Sequence, residues 1–185
     1  MSQEERAGGA RDALLATLVA YRKVQRASWP QLNTTQGHDE SWSSMSTKAL
    51  EAELERLVAE TQRSGQEVRV FWKLGTDFVY AGCNDQFARD AGFRQAKDLI
   101  GKTDFDPDIS WLRQSAKYRR DDTEVVQTGS EKLDIIERQD SPSGTIWLRT
   151  GKAPIRPAGK RAIGILGMYE VIDSATAAKL SRKRS

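Results

Sequence analysis

The sequence predicts an α+β domain: a five-stranded antiparallel sheet with helices on one face, preceded by N-terminal helices. Three observations predict it. Residues 70–172 read in order as strand, strand, short helix, long helix and three strands. Turn formers stand between these runs: Gly75-Thr76-Asp77, Pro142-Ser143-Gly144 and Pro157-Ala158-Gly159. Two helical patterns come before the first strand, with apolar residues at steps of three and four.

The first pattern covers 10–27. Leu14, Leu18 and Tyr21, flanked by Leu15 and Val19, make one apolar stripe, with Gly8-Gly9 before it and Pro30 beyond it. Residues 28–45 are polar and rich in turn formers, which predicts a linker; Trp29 and Trp42 within it suggest docking onto a domain or a partner. The second pattern covers 46–64. Its stripe of Leu50, Leu54, Leu57 and Val58 is narrow, and Ser64-Gly65 suits a left-handed cap. So polar a helix must bury its stripe on the sheet or on a second chain, and these four residues are the candidate dimer contact.

In the first strand Val68, Val70, Trp72 and Leu74 alternate with polar Arg69 and Lys73, with Phe71 as the exception. Phe78 to Ala81 returns from the hairpin. Asn84 or Asp85 caps a short helix closed by Gly92. Trp111 to Gln127 is helical and Gly129 stops it. Residues 132–139, 145–155 and 162–172 are strands. The chain divides into 1–45 (helix and polar linker), 46–66 (amphipathic helix), 67–172 (core domain) and 173–185 (basic tail).

Composition narrows the classes. No apolar run reaches the roughly 18–20 residues of a membrane span. The N-terminus lacks the apolar core of a secretory signal. These features point to the cytoplasm. One cysteine, Cys83, permits no internal disulfide, and one histidine, His38, with one cysteine cannot build a Cys/His zinc site. The net charge of +3 resides in the tail, on Lys179, Arg182, Lys183 and Arg184. Aromatics interleaved with basic residues on one strand face are missing, which argues against nucleic acid as a partner.

Four motifs in order carry a resemblance over 67–172. They are Gly82-Cys83-Asn84 with Phe87-Ala88 and Ala91-Gly92; Leu99 to Asp106; Tyr118 to Gly129; and Glu137, Gln139, Gly144, Trp147, Leu148, Thr150, Lys152 and Pro154. Together they resemble a PAS sensor domain of the type found in bacterial hybrid histidine kinases. The resemblance implies a receiver of signals and not an enzyme. Such domains commonly end in Asp-Ile-Thr before a signalling helix; here the positions read Val171-Ile172-Asp173. About a dozen residues follow, so the output is expected to pass to a partner such as a kinase, or to a change of oligomer.

The cofactor is left unknown, with two candidates argued against. Haem would need an axial ligand, and 111–128 holds no histidine. A photoreactive flavin would need a cysteine beside the Gly101-Lys102-Thr103-Asp104 turn, and Cys83 is elsewhere. Cys83 reads as a small buried residue. Asp104, Asp106 and Asp108 alternate like metal ligands, but Pro107 and the missing distal glutamate favour turn and helix caps.

A pocket between the long helix and the sheet is the remaining site. Trp111, Ser115, Tyr118, Asp122 and Val125 follow steps of four, three, four and three, and so share one face. Trp111, Tyr118, Asp122 and Glu137 are the candidate lining, with Lys152 or Arg149 as partners for a buried carboxylate. The leading expectation is a free-standing PAS sensor that homodimerises and relays a small-molecule or redox signal. The alternative is a ligand-free scaffold for protein–protein contact.

Overall fold

A computed structural model describes residues 1–32, 39–63 and 67–184. His38 and the Ser64-Gly65 stop lie outside the described residues. Helix α1 runs Gln3–Ser28 and α2 runs Thr47–Arg63. Strands β1 (Arg69–Leu74) and β2 (Val79–Cys83) form the first hairpin. Helices α3 (Asp85–Asp90) and α4 (Ser115–Thr128) follow. Then come β3 (Lys132–Ser141), β4 (Gly144–Ile155), β5 (Gly164–Ile172) and α5 (Ser174–Arg182). Among the described residues no helix is long and apolar enough to cross a membrane.

The sheet is five-stranded and antiparallel, in the order β2-β1-β5-β4-β3. Helices α3 and α4 cover one face, here called inner. On it lie Phe71, Tyr80, Leu148, Ile165 and Tyr169, packed with Phe87, Trp111, Tyr118 and Val125. Helices α1 and α2 cover the opposite, outer face. Val70, Ala153, Ile155, Leu166 and Met168 pack there against Leu18, Tyr21, Val24, Leu50 and Leu57. The expected helices on one face are therefore joined by two more on the other. The reason is the apolar outer side of β1, β4 and β5, which would otherwise face water.

The N-terminal region departs from expectation in three ways. First, α1 starts seven residues earlier than 10, because Ser2 and Glu5 form a capping box with bonds of 2.7 and 3.1 Å. Gly8 and Gly9 are thus inside the helix, where each costs about 1 kcal/mol against alanine. Second, the polar 28–45 segment is not simply a linker: it contains two short 3₁₀ turns, Pro30–Leu32 and Asp39–Ser44. Trp29 and Trp42 are buried in the outer core. The Arg149 guanidinium lies over Trp29 at 5.1 Å and that of Arg22 over Trp42 at 5.5 Å. Third, Leu50, Leu54 and Leu57 are buried against the chain's own α1 and sheet, leaving only Val58 half-covered. The narrow stripe that motivated a dimer contact is covered within one chain.

Candidate functional site

The inner face carries an ionic network inside an aromatic wall. Strand period two sets it up. On β1, Phe71 and Lys73 point inward while Val70, Trp72 and Leu74 point outward. On β4, Leu148, Thr150 and Lys152 point inward. Helix α4 presents Ser115, Tyr118, Asp122 and Val125 to the sheet, all buried. The loop before α4 brings Asp104 and Trp111 to the same place.

Lys73 is the hub. Its Nζ donates to Asp104 Oδ2 at 2.5 Å and to Asp122 Oδ2 at 2.7 Å. Lys152 Nζ donates to the other Asp122 oxygen at 2.7 Å. Asp104 Oδ1 accepts from Tyr80 Oη and, at 2.8 Å, from Trp111 Nε1. All four charged side chains are at most 3% exposed. Two ammoniums thus face two carboxylates with no water needed for balance. A third carboxylate, Glu137, accepts from Thr150 Oγ1 at 2.9 Å and from Lys117 Nζ at 2.5 Å. Gln139 links Tyr118 (3.3 Å) to Tyr169 (3.1 Å), which donates in turn to Asp90 at 2.6 Å.

These contacts set the protonation states. Burial works against a charge on Asp104, but the Lys73 ammonium and the Tyr80 and Trp111 donors outweigh it and hold the carboxyl below its usual range. Burial also works against Lys152, yet Asp122 and Glu137 raise its ammonium above the ordinary value. Burial, then nearby carboxylates, pushes the phenols of Tyr80 and Tyr118 up, so both remain donors.

The network borders a cavity of about 20 Å³, room for roughly one water. Its walls are Phe71, Tyr80, Phe87, Trp111, Tyr118 and Tyr169. Phe71 and Phe87 stack at 4.5 Å. The Phe71 ring occupies the space a side chain at Gly167 would need, since a Cβ there would lie 2.2 Å from its Cζ.

Of the residues expected at the pocket, Trp111, Tyr118, Glu137 and Lys152 line this cavity. Asp122 stands directly behind, bonded to both lysines. Arg149 does not belong. It sits on the outer side of β4, donates to the Ser28 carbonyl at 2.6 Å and pairs with Glu170 at 3.0 Å. An odd separation from Lys152 along one strand places the two on opposite faces. Asp104 corrects the reading in the other direction: it is a buried hub, not a turn cap. Asp106 does cap a turn, accepting from the Asp108 amide at 3.0 Å. Lys73, Asp104, Tyr80 and Gln139 were missed; the out-of-pattern Phe71 was the signal that Lys73 faces a core. Cys83 is buried, and burial pushes its thiol up to about 12.

A search of curated proteins gives no match. Solved structures do match in fold. A phage VqmA–DPO complex shares 18% identity at a TM-score of 0.56, covering 74% of this chain and 58% of that one. A Vibrio cholerae VqmA–ligand–DNA complex shares 19% at 0.50, covering 62% and 54%. An RNA-binding light-oxygen-voltage receptor shares 16% at 0.52, covering 83% and 40%. The chain therefore spans about half the length of these proteins, and at such identities the likeness is one of fold. It still corrects one expectation. Nucleic acid was argued against as a partner, yet this fold occurs in proteins described as DNA-bound and RNA-binding. The expectation against nucleic acid therefore does not stand on the fold. The family model described as the PAS fold matches residues 65–176, well over half of the sequence. The chain belongs to the PAS-fold family.

Proposed function

We propose that the chain is a sensory PAS module whose input is a small molecule received at the inner-face network. PAS domains are generally sensory and not catalytic. The observation that carries the reading is the buried Lys73–Asp104–Asp122–Lys152 network beside an aromatic-walled cavity. Buried ion pairs are poor stabilisers, because desolvating the charges offsets their attraction. Four such charges in a small core are better accounted for by recognition. They offer donors and acceptors at fixed positions to a ligand with a hydrogen-bonding edge, and the rings offer stacking. VqmA complexes lend support, as proteins of this fold described as bound to DPO and, in one case, to a ligand and DNA. A redox input through Cys83 is disfavoured by its raised thiol pKa.

The output route begins at β4. Lys152 faces the network, while its neighbour Gly151 abuts Val24 of α1 so closely that a Cβ there would lie 3.0 Å away. A shift of β4 on binding is therefore felt by α1. From there the signal passes to a partner, with a kinase or a nucleic-acid-linked protein as candidates. Self-association belongs to this reading through the exposed side of α1, where Val19 is 43% exposed. Val19→Lys then yields monomers by light scattering.

A second reading is favoured by one observation: the cavity is nearly filled and the network is paired within the chain. In that reading the domain is a scaffold for protein contact. One experiment separates them. The chain is taken from its own cells for native mass spectrometry and titrated with DPO. A retained or bound small molecule, lost in Lys152→Met/Asp122→Leu, supports the sensor. Bare mass and no response to DPO support the scaffold.

A further inference from the structure

The outer face has a second concavity, unrelated to the inner network. It lies between α1, α2 and the β1–β2 edge of the sheet, and measures about 570 Å³. That is within the range of small-molecule sites. We propose that this groove binds a small hydrophobic cation: a protonated or quaternary amine carried on an apolar body.

Three features argue for that class. The first is the floor. Trp72 lies flat over β2 because residue 82 is glycine; a Cβ there would sit 1.9 Å from the indole. The half-buried ring thereby forms part of the groove lining. An aromatic face attracts a cation through its quadrupole. The second is the wall: Leu14 of α1 and Leu54 and Val58 of α2 supply apolar surface, and Ala13 and Ala59 leave the room. The third is charge. The chain is net positive, yet the described residues lining the groove include Glu51, Glu55 and Asp85 and no lysine or arginine.

The glutamates of α2 sharpen the point. Glu53 and Glu60 are consumed by Arg56, at 2.7 and 2.6 Å. Glu51 and Glu55, on the groove rim, form no ion pair with a described residue and are exposed. The acidic rim thus keeps its charge for a ligand, above an aromatic floor.

The test uses (1-naphthylmethyl)trimethylammonium and its anionic counterpart 1-naphthylacetate as probes. Nuclear magnetic resonance of the tryptophan indole N–H groups reads their position, with Trp72→Phe assigning the signal. The cation should shift the Trp72 resonance saturably, and the anion should bind at least about tenfold more weakly. Glu51→Gln/Glu55→Gln should weaken the cation about tenfold. Ala59→Phe, which fills the groove and leaves the charges, should abolish the shift. The proposal is overturned by no saturable shift at Trp72, by equal affinity for the two probes, or by unchanged affinity in the glutamine variant. A shift at Trp111 alone would place the probe in the inner cavity and overturn it equally. The outcome is independent of the inner-face reading, whose variants do not touch this groove.

Discussion

The two faces of the sheet solve opposite problems. The inner face buries the four charges of the Lys73–Asp104–Asp122–Lys152 network with Glu137 beside them, and leaves about 20 Å³ unfilled. The outer face buries a large apolar cluster, with Thr17, Arg22, Gln25 and Thr61 as buried polar groups on its two helices, and leaves a groove of about 570 Å³. Stability economics favour the outer arrangement, since apolar burial contributes about 25 cal/mol per Å² and buried ion pairs contribute little net. The outer face with α1 and α2 therefore serves to hold the sheet. The inner face trades stability for polar groups in fixed positions.

That contrast can be broken by mutation. The largest effect is expected at Asp122, which serves both lysines. Asp122→Asn removes the shared charge and leaves Lys152 without an ionised partner at bonding distance. Breaking a buried pair in this way costs about 3–5 kcal/mol, to be read by urea denaturation. On the outer face, Leu57→Ala opens a cavity where Leu57 is 1% exposed. A cost of about 2–5 kcal/mol is expected. The two single variants are similar in size; what separates the faces is rescue, because a charge-free pair can replace an ion pair and no partner change refills the Leu57 cavity.

The faces also differ in how far the sequence revealed them. The order of strands and the buried side of α4 were readable, because period and spacing survive in a single chain. The inner network was half readable. Asp122, Glu137 and Lys152 were marked by the charge they bring to a packed face. Asp104 was hidden because its neighbours Asp106, Pro107 and Asp108 read as turn chemistry. Lys73 was hidden because a polar residue in an alternating strand normally faces water, and here both faces are covered. Trp29 and Trp42 were the only trace of that outer cover in a segment otherwise polar. Which face Arg149 takes followed from parity with Lys152, a constraint the pairing argument did not apply.

Smaller effects sharpen the comparison. Gly82→Ala pushes against the Trp72 ring and should cost about 1–3 kcal/mol. It should also lift the indole from the groove floor, visible as a change in Trp72 fluorescence without loss of the inner network. Acid should act mainly on the inner face. Asp104 is held below its ordinary value of 3.8. Its contribution is thus fully present above that pH and is lost as pH falls through the lowered folded value. Lys152 is held above 10.5, so its contribution is full below that pH and fades as pH rises through the raised value. Between those limits neither group gives a slope. Denaturation curves at stepped pH, compared with Asp104→Asn, should show the acid slope reduced in the variant. The smallest effect is at Arg149→Ala. It removes the Ser28 bond and the Trp29 contact at a cost of about 1 kcal/mol, and should leave any small-molecule response intact.

The most direct measurement is the stability of Lys152→Met/Asp122→Leu, followed by urea denaturation with and without DPO. Lys73 keeps Asp104 as its partner in this variant. If the network serves recognition, the variant should fold within about 1 kcal/mol of the parent, or more stably. It should also lose the small-molecule stabilisation that the parent shows. A variant several kcal/mol less stable than the parent, or one that responds to the small molecule as the parent does, would contradict the account.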